Sequence, residues 1–245
     1  MRYFYMQEFW IMEQKTLRIQ PRDVAIFKFL DKVGYAPISQ IVSSLGVEVN
    51  DNEKSQAALV RRLSQLQQFS YIKTFSTQNG NYYALDKKSR GDNHLITSIK
   101  LDQLPHHDFL SQLFLLVQNN PLCFNVVSER EVITNYKTIG KSGKVPDMII
   151  NDWIIEYERT SKSVMASRDV VDYWTCRERR RLCIIYETNE IHNRYNGLLN
   201  PRVKLLSRVN YTDIFQIIGA SELVQTQENN KIDYEVINAI RSKYL

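Results

Sequence analysis

A pair of apolar runs that end in carboxylates constrains this chain more than any other feature. From residue 145 to 162 the sequence is Val-Pro-Asp-Met-Ile-Ile-Asn-Asp-Trp-Ile-Ile-Glu-Tyr-Glu-Arg-Thr-Ser-Lys. Asn151-Asp152 suits a turn, so the segment predicts two strands, over 145–150 and 153–158, paired as a hairpin. Side chains alternate across a strand, which puts Ile154, Glu156 and Glu158 on one face and Tyr157 on the other. Asp147, near the start of the partner strand, falls beside Glu156 and Glu158 once the hairpin twists. Carboxylates gathered at the ends of apolar strands repel one another and lose hydration, and a hard divalent cation relieves that cost. Mg2+ or Mn2+, held by carboxylates and water, is the expected ion, and such an ion supports attack on a phosphodiester. Lys162 is then placed to neutralise the scissile phosphate or to orient the nucleophile. A plainer account fits the same residues: an edge hairpin whose solvated acidic face is balanced by Arg159 and Lys162.

The first third of the chain predicts a different unit. Pro21 suits the first position of a helix, where its missing N–H has no partner to lose. Val24, Ile26, Phe27 and Leu30 give that helix an apolar side, and it ends near Gly34. A second helix follows Pro37, with Ile38, Ile41, Val42 and Leu45 at i, i+3, i+4 and i+7 and Gly46 as its stop. A third runs from Asp51 or Asn52 to Gln68. Leu59, Leu63 and Leu66 form its buried stripe, and Arg61, Arg62, Gln65 and Gln68 are expected at the surface. Two alternating strands, over 71–75 and 81–85, are joined through Asn79-Gly80, a dipeptide suited to a type I′ turn. Three helices followed by a hairpin is the order of a winged helix, whose third helix enters the major groove of DNA. Arg61, Arg62, Gln65 and Gln68 are the candidate DNA contacts, because Arg and Gln suit base edges and Arg also suits phosphate.

Charge follows the same division. Residues 1–90 hold 13 Lys or Arg against 8 Asp or Glu, whereas residues 91–245 hold 19 of each, so the whole net charge of +5 lies in the first third. A polyanionic partner and ordinary solubility both account for that asymmetry. No apolar run approaches the roughly 20 residues of a membrane helix, so no membrane insertion is expected and the expected location is cytoplasmic. The three cysteines, Cys123, Cys176 and Cys183, are odd in number and lack metal-ligand spacing, which argues against a disulfide framework or a zinc site. After a polar linker over 86–93, helices are expected over 107–117, 164–179, 212–219 and 232–244. Strands are expected over 124–127, 182–186 and 203–206, completing a compact α/β domain. The expected organisation is an N-terminal aromatic arm (1–17), a winged-helix DNA-binding domain (18–90) and a mixed-sheet domain (91–245). The basic run Arg177 to Arg181 fits two roles. Arg179 and Arg180 line a DNA channel beside the carboxylates, or the charges stabilise a helix C-terminus.

Pro-Asp, a short hairpin and Glu-x-Glu at a strand end resemble the PD-(D/E)xK motif of restriction endonucleases, with Glu158 where Lys is more usual, a variation some members show. A longer pattern resembles the MobC-type (MOBC) plasmid mobilisation relaxases and the related replication–relaxation proteins. It comprises Ser-Glu-Arg-Glu (128–131), Pro-Asp (146–147), Ile-Glu-Tyr-Glu-Arg-Thr-Ser-Lys-Ser (155–163) and Tyr173. This resemblance spans nearly the whole chain and is strongest over 155–163. It implies an α+β/α/β protein, a winged helix followed by a restriction-endonuclease-like mixed-sheet domain. The implied activity is metal-dependent nicking of one DNA strand at a plasmid origin of transfer, with relaxosome accessory proteins and a coupling protein as further partners. On the resemblance, Asp147 and Glu158 are the main metal ligands, Glu156 is a further acidic residue of the site, and Lys162 contacts the phosphate. Glu129 and Glu131 add acidic ligands or hold a metal-bound water. Family members often carry a His before the first Glu of that pair, where this chain has Ser128; His106 or His107 is the candidate replacement. Nothing in the local sequence marks a covalent tyrosine nucleophile, and a metal-activated group such as water is the expected attacker. Two other classes fit the same residues: a non-cleaving DNA-binding accessory or replication-control protein on a nuclease-like scaffold, and an endonuclease that breaks both strands with the help of a dimer or partner.

Overall fold

Residues 17–46, 53–89, 99–135 and 144–219 are described by a computed structural model of the chain. The arm over 1–16, the end of the expected linker and the helix expected over 232–244 lie outside the described residues. Pro21 opens α1 (Pro21–Val33), where Gln20 and Asp23 form a reciprocal cap and the Gly34 N–H closes the last turn on the Leu30 carbonyl. Then come β1 (Tyr35–Pro37), α2 (Ile38–Ser44), α3 (Glu53–Gln68), β2 (Ile72–Thr77) and β3 (Gly80–Leu85). The strands form an antiparallel sheet in the order β1-β3-β2. Strand β1 was not expected. It is three residues long and exists only through its pairing with Tyr82, Tyr83 and Ala84.

Two expectations in this half are corrected. Thr77 pairs with Gly80, so the hairpin turns through Gln78-Asn79 and not through Asn79-Gly80. Gly80 (φ 108) is its only described positive φ, and Thr77 holds the turn by accepting from the Asn79 N–H and donating to the Gly80 carbonyl. The side chain of Arg62, expected at the DNA-facing surface, is instead buried against Asp23. Its Nε and Nη2 donate to the two Asp23 oxygens at 3.0 and 2.5 Å, and Nη2 also donates to the Arg18 carbonyl at 2.7 Å. Burial of the Asp23 carboxylate inside α1 requires this partner, which draws the guanidinium inward. Leu59, Leu63 and Leu66 are buried as expected.

The second half begins with α4 (Leu104–Gln118), β4 (Val126–Ser128), α5 (Glu129–Asn135), β5 (Met148–Ile150) and β6 (Trp153–Glu158). It continues with α6 (Val164–Asp172), β7 (Arg181–Tyr186), α7 (Asn189–Asn196) and β8 (Val203–Ser207). A five-stranded sheet runs β4-β5-β6-β7-β8. Its first three strands are antiparallel, whereas β7 and β8 are parallel to β6 and to each other. Parallel neighbours need a crossover, and α6 and α7 supply the two. Ser163 caps α6 through the Ala166 N–H and Thr188 caps α7 through the Ile191 N–H. The turn between β5 and β6 falls at Asn151-Asp152, with Asn151 (φ 56) in the left-handed region that asparagine tolerates. The helix expected over 164–179 is broken: α6 stops at Asp172 and a π turn (Tyr173–Arg177) finishes it. Helices α5 and α7 were not expected.

Both faces of the large sheet are covered. Ile155, Tyr157 and Ile185 belong to an apolar cluster with Phe109, Leu113 and Phe114 of α4, whereas Ile154, Leu182 and Ile184 cluster with Val170, Trp174, Ile191 and Tyr195. Each such aliphatic or aromatic side chain contributes about 1.5–3 kcal/mol on burial. Helix α4 also packs against the first half. Its Asp108 accepts from Gln40 through the main chain at 3.2 Å and from the Tyr82 hydroxyl at 2.7 Å. His107 stacks on Tyr35 at 3.7 Å between ring centroids and donates to its carbonyl. One apolar cluster therefore runs from Ile26 to Ile218. No helix among the described residues is long and apolar enough to cross a membrane.

Candidate active site

The end of β6 gathers most of the residues singled out above. Asp147 immediately precedes β5, and its Oδ2 accepts from the Tyr157 N–H at 2.7 Å, extending the hairpin by one side-chain rung. Alternation along β6 sends Tyr157 toward α4 and Glu156 and Glu158 toward α6 and α7. Glu158 is buried, at 4% exposure, and its Oε1 accepts from Lys162 Nζ at 2.5 Å and from the Tyr195 hydroxyl at 3.0 Å. Glu156 Oε1 accepts from the Trp174 indole N–H at 2.8 Å. Burial above all, and then the charge of Asp147, hold the Glu156 carboxyl well above the usual carboxylate range; Glu158 adds to this, while Trp174 and Lys162 oppose it. Glu156 and Lys162 open onto a shallow cleft of about 420 Å³ that Lys144 and Asp169 also border.

On the α4 side, His106 Nε2 lies 3.3 Å from Asp147 Oδ1, and its ring stacks on Tyr157 at 5.3 Å between centroids. Burial works against protonation of His106, but the Asp147 hydrogen bond and charge outweigh it, with Glu129 adding to them, so its pKa is raised. His107 is a packing residue by contrast: burial beside Tyr35 lowers its pKa to about 4. Glu129, exposed at the start of α5, joins the rim of the site. Loss of hydration on its protein-facing side and then the Asp147 charge raise its carboxyl, and His106 opposes them. Glu131 is engaged elsewhere. It accepts from the Ser128 N–H at 3.1 Å while Ser128 Oγ accepts from the Glu131 N–H at 3.4 Å, and it pairs with Lys32 of α1. That is a capping box, for which Ser-x-x-Glu is itself the sequence signal.

Asp147, Glu156 and Glu158 are oxygen donors of the kind a hard divalent cation takes. Each is hydrogen-bonded within the protein, and among the described residues no three His, Cys, Asp or Glu side chains come together closely enough to hold a metal ion as they stand. Lys162 and Tyr195 both bond Oε1 of Glu158, so a cation would be taken by its Oε2, beside the 40% exposed Lys162 side chain. Three supporting groups went unrecognised as such in the sequence: Tyr195, Trp174 and Glu187. Glu187 takes the Tyr157 hydroxyl at 3.3 Å and Arg208 at 2.5 Å, beside the exit of β6. The Ile191 and Tyr195 spacing behind the Thr188 cap is the signal by which α7 and Tyr195 were open to recognition, whereas Glu187 carried no local signal.

The remaining candidates lie apart. Arg61, Gln65 and Gln68 are exposed on α3, with Gln65 accepting from Arg62 at 3.1 Å. Arg179 and Arg180 are not beside the carboxylates. Trp153 pairs with Arg181 at the entry ends of β6 and β7, while Glu158 pairs with Tyr186 at the exits. Because the parallel crossover returns the chain to the entry edge, the arginine run sits a strand length away, about 16 Å at roughly 3.3 Å per residue. No protein-family model, curated protein or solved structure matches the chain.

Proposed function

We propose that the chain is a divalent-metal-dependent DNA-nicking enzyme of the relaxase type, which cleaves one strand at a plasmid origin of transfer. The observation that carries this reading is the placement of Asp147, Glu156, Glu158 and Lys162 at one end of a mixed sheet, where an antiparallel hairpin passes into a parallel crossover. Antiparallel β4-β5-β6 followed by parallel β7, with α4 on one face and α6 on the other, suits a restriction-endonuclease-like domain. The three helices and three-stranded sheet of the first half suit a winged helix that presents Arg61, Gln65 and Gln68 to the DNA. Origin DNA is the primary partner on this reading, with accessory and coupling proteins joining it there.

Bound Mg2+ or Mn2+ supplies charge for the phosphoryl oxygens and lowers the pKa of water. Asp147 and Glu158 are the residues to hold it, with Glu156 and Glu129 nearby. The Tyr157 N–H orients Asp147 and the Tyr195 hydroxyl orients Glu158, so neither carboxylate has to be ordered when DNA arrives. Lys162, beside Glu158, neutralises the phosphate at the cleft.

The test is cleavage of supercoiled plasmid carrying the cognate origin. Wild-type protein with Mn2+ yields open circles, and Asp147→Ala and Glu158→Ala each abolish them while retaining DNA binding. Nicking at the wild-type rate by both variants overturns the site. One observation favours a non-cleaving DNA-binding protein instead: all three central carboxylates have internal hydrogen-bond partners. That reading gives intact plasmid with either metal, and a double-strand endonuclease gives linear product.

A further inference from the structure

We infer a second phosphate-binding site, built from arginines at the end of the five-stranded sheet opposite the carboxylates, that holds the backbone of a polynucleotide. Arg179, Arg180, Arg181 and Arg202 border an open concavity of about 410 Å³ in company with Asp152 and Pro201, so four guanidinium groups face a single carboxylate. Asp152 partly neutralises Arg181 at 3.4 Å, and Arg181 lies over the Trp153 ring. Arg202 donates Nη1 to the Thr175 carbonyl at 3.1 Å, which anchors its fork. Arg179 and Arg180 make no side-chain hydrogen bond or ion pair among the described residues.

The backbone supports the same assignment. After the π turn, the Glu178 N–H bonds to the Tyr173 carbonyl and the Arg180 N–H to the Trp174 carbonyl, and between them Arg179 holds φ 53. A left-handed position at a helix end favours glycine, and a larger residue kept there marks strain that functional sites tolerate. Capping of the helix C-terminus accounts for Arg202, whose Nη1 donates to the Thr175 carbonyl of the last turn. It does not account for Arg179 and Arg180, whose side chains bond no carbonyl there among the described residues. Guanidinium forks match the paired oxygens of phosphate. The lining has arginines for phosphate and no aromatic face for a base, which favours a backbone over a free nucleotide. The inference rests on the polynucleotide substrate proposed above and adds an anchor about 16 Å from the carboxylates.

The experiment is binding of labelled single-stranded and duplex oligonucleotides across a salt series, with wild-type protein and an Arg179→Gly, Arg180→Ala variant. Glycine relieves the left-handed strain, so the variant keeps its fold, and its melting temperature checks this. The expected result is weaker binding to every sequence, with the slope of log affinity against log salt reduced by about two. Unchanged affinity and slope overturn the proposal. Loss of inorganic pyrophosphate binding with oligonucleotide binding intact assigns the site to a small phosphate and also overturns it. Calorimetric titration of Mn2+ into the same variant is expected to match wild type. If the wild-type protein itself binds no Mn2+ and nicks nothing, the metal-enzyme reading fails while the oligonucleotide result still decides the arginine site.

Discussion

Replacing Arg62 with Ala separates a structural arginine from a DNA contact. The change leaves the Asp23 carboxylate, fully buried, with the Gln20 N–H at 2.7 Å as its remaining hydrogen bond. Removing one partner of a buried pair costs about 3–5 kcal/mol. For a chain of this size each kcal/mol lowers Tm by about 2–4 °C, so the variant is expected to melt about 6–20 °C below wild type. The pH dependence gives a second readout. Burial alone raises the pKa of Asp23, but the Arg62 hydrogen bond, the Gln20 amide and the charges of Arg62 and Arg22 outweigh it, so the folded value is depressed. Stability from a depressed carboxyl is complete above its unfolded pKa of about 3.9 and lost as pH falls through the folded one. Without Arg62 the desolvated carboxyl favours its proton, so the deficit against wild type narrows below about pH 4. An Asp23→Leu, Arg62→Leu double variant recovers much of the loss, since apolar replacement of a buried pair is often neutral. Thermal melts at pH 7 and pH 3.5 make the measurement. A Tm within about 2 °C of wild type at pH 7, or a deficit that does not narrow in acid, refutes the reasoning.

Two further perturbations address the carboxylates. In the metal-free protein the raised Glu156 pKa makes stability complete below its unfolded value, near 4.3, and makes it fall as pH rises through the folded value. Glu156→Gln keeps an acceptor for Trp174 and is expected to be more stable than wild type at pH 8 and equal to it below pH 4; parallel pH trends in urea denaturation of the two proteins refute this. Glu131→Ala loses the capping box of α5 and is expected to cost about 1 kcal/mol with Mn2+ affinity unchanged. A tenfold fall in that affinity would return Glu131 to the metal site.

Much of this architecture was legible because local pattern and tertiary context agreed. Strand β6 begins and ends where its apolar run and carboxylates predict, and the buried leucines of α3 follow the helical period. Arg62 shows how a charge can hide that period. Leu59 and Leu66 bracket it at i−3 and i+4, so the spacing already put it on the buried face, and only Asp23 on another helix distinguishes it from Arg61. Strand β1 could not be found locally, because three residues between two helices acquire strand geometry only from β3. The candidate site divided in the same way. Hairpin alternation placed Asp147, Glu156 and Glu158, whereas the Tyr195 and Glu187 contacts join segments about 30 to 40 positions apart. The arginine run was legible as charge, but its end of the sheet depended on the direction of a crossover.

Helix α4 gives the proposed enzyme a ruler. Its Asp108 is fastened to α2 and β3, its His107 to β1, and its His106 to Asp147 within the next few ångströms of the same helix turn. On the proposed function, the separation between DNA at α3 and the bond at Asp147 is set by these packed helices, and the cut falls at a fixed offset that is inherited with the core.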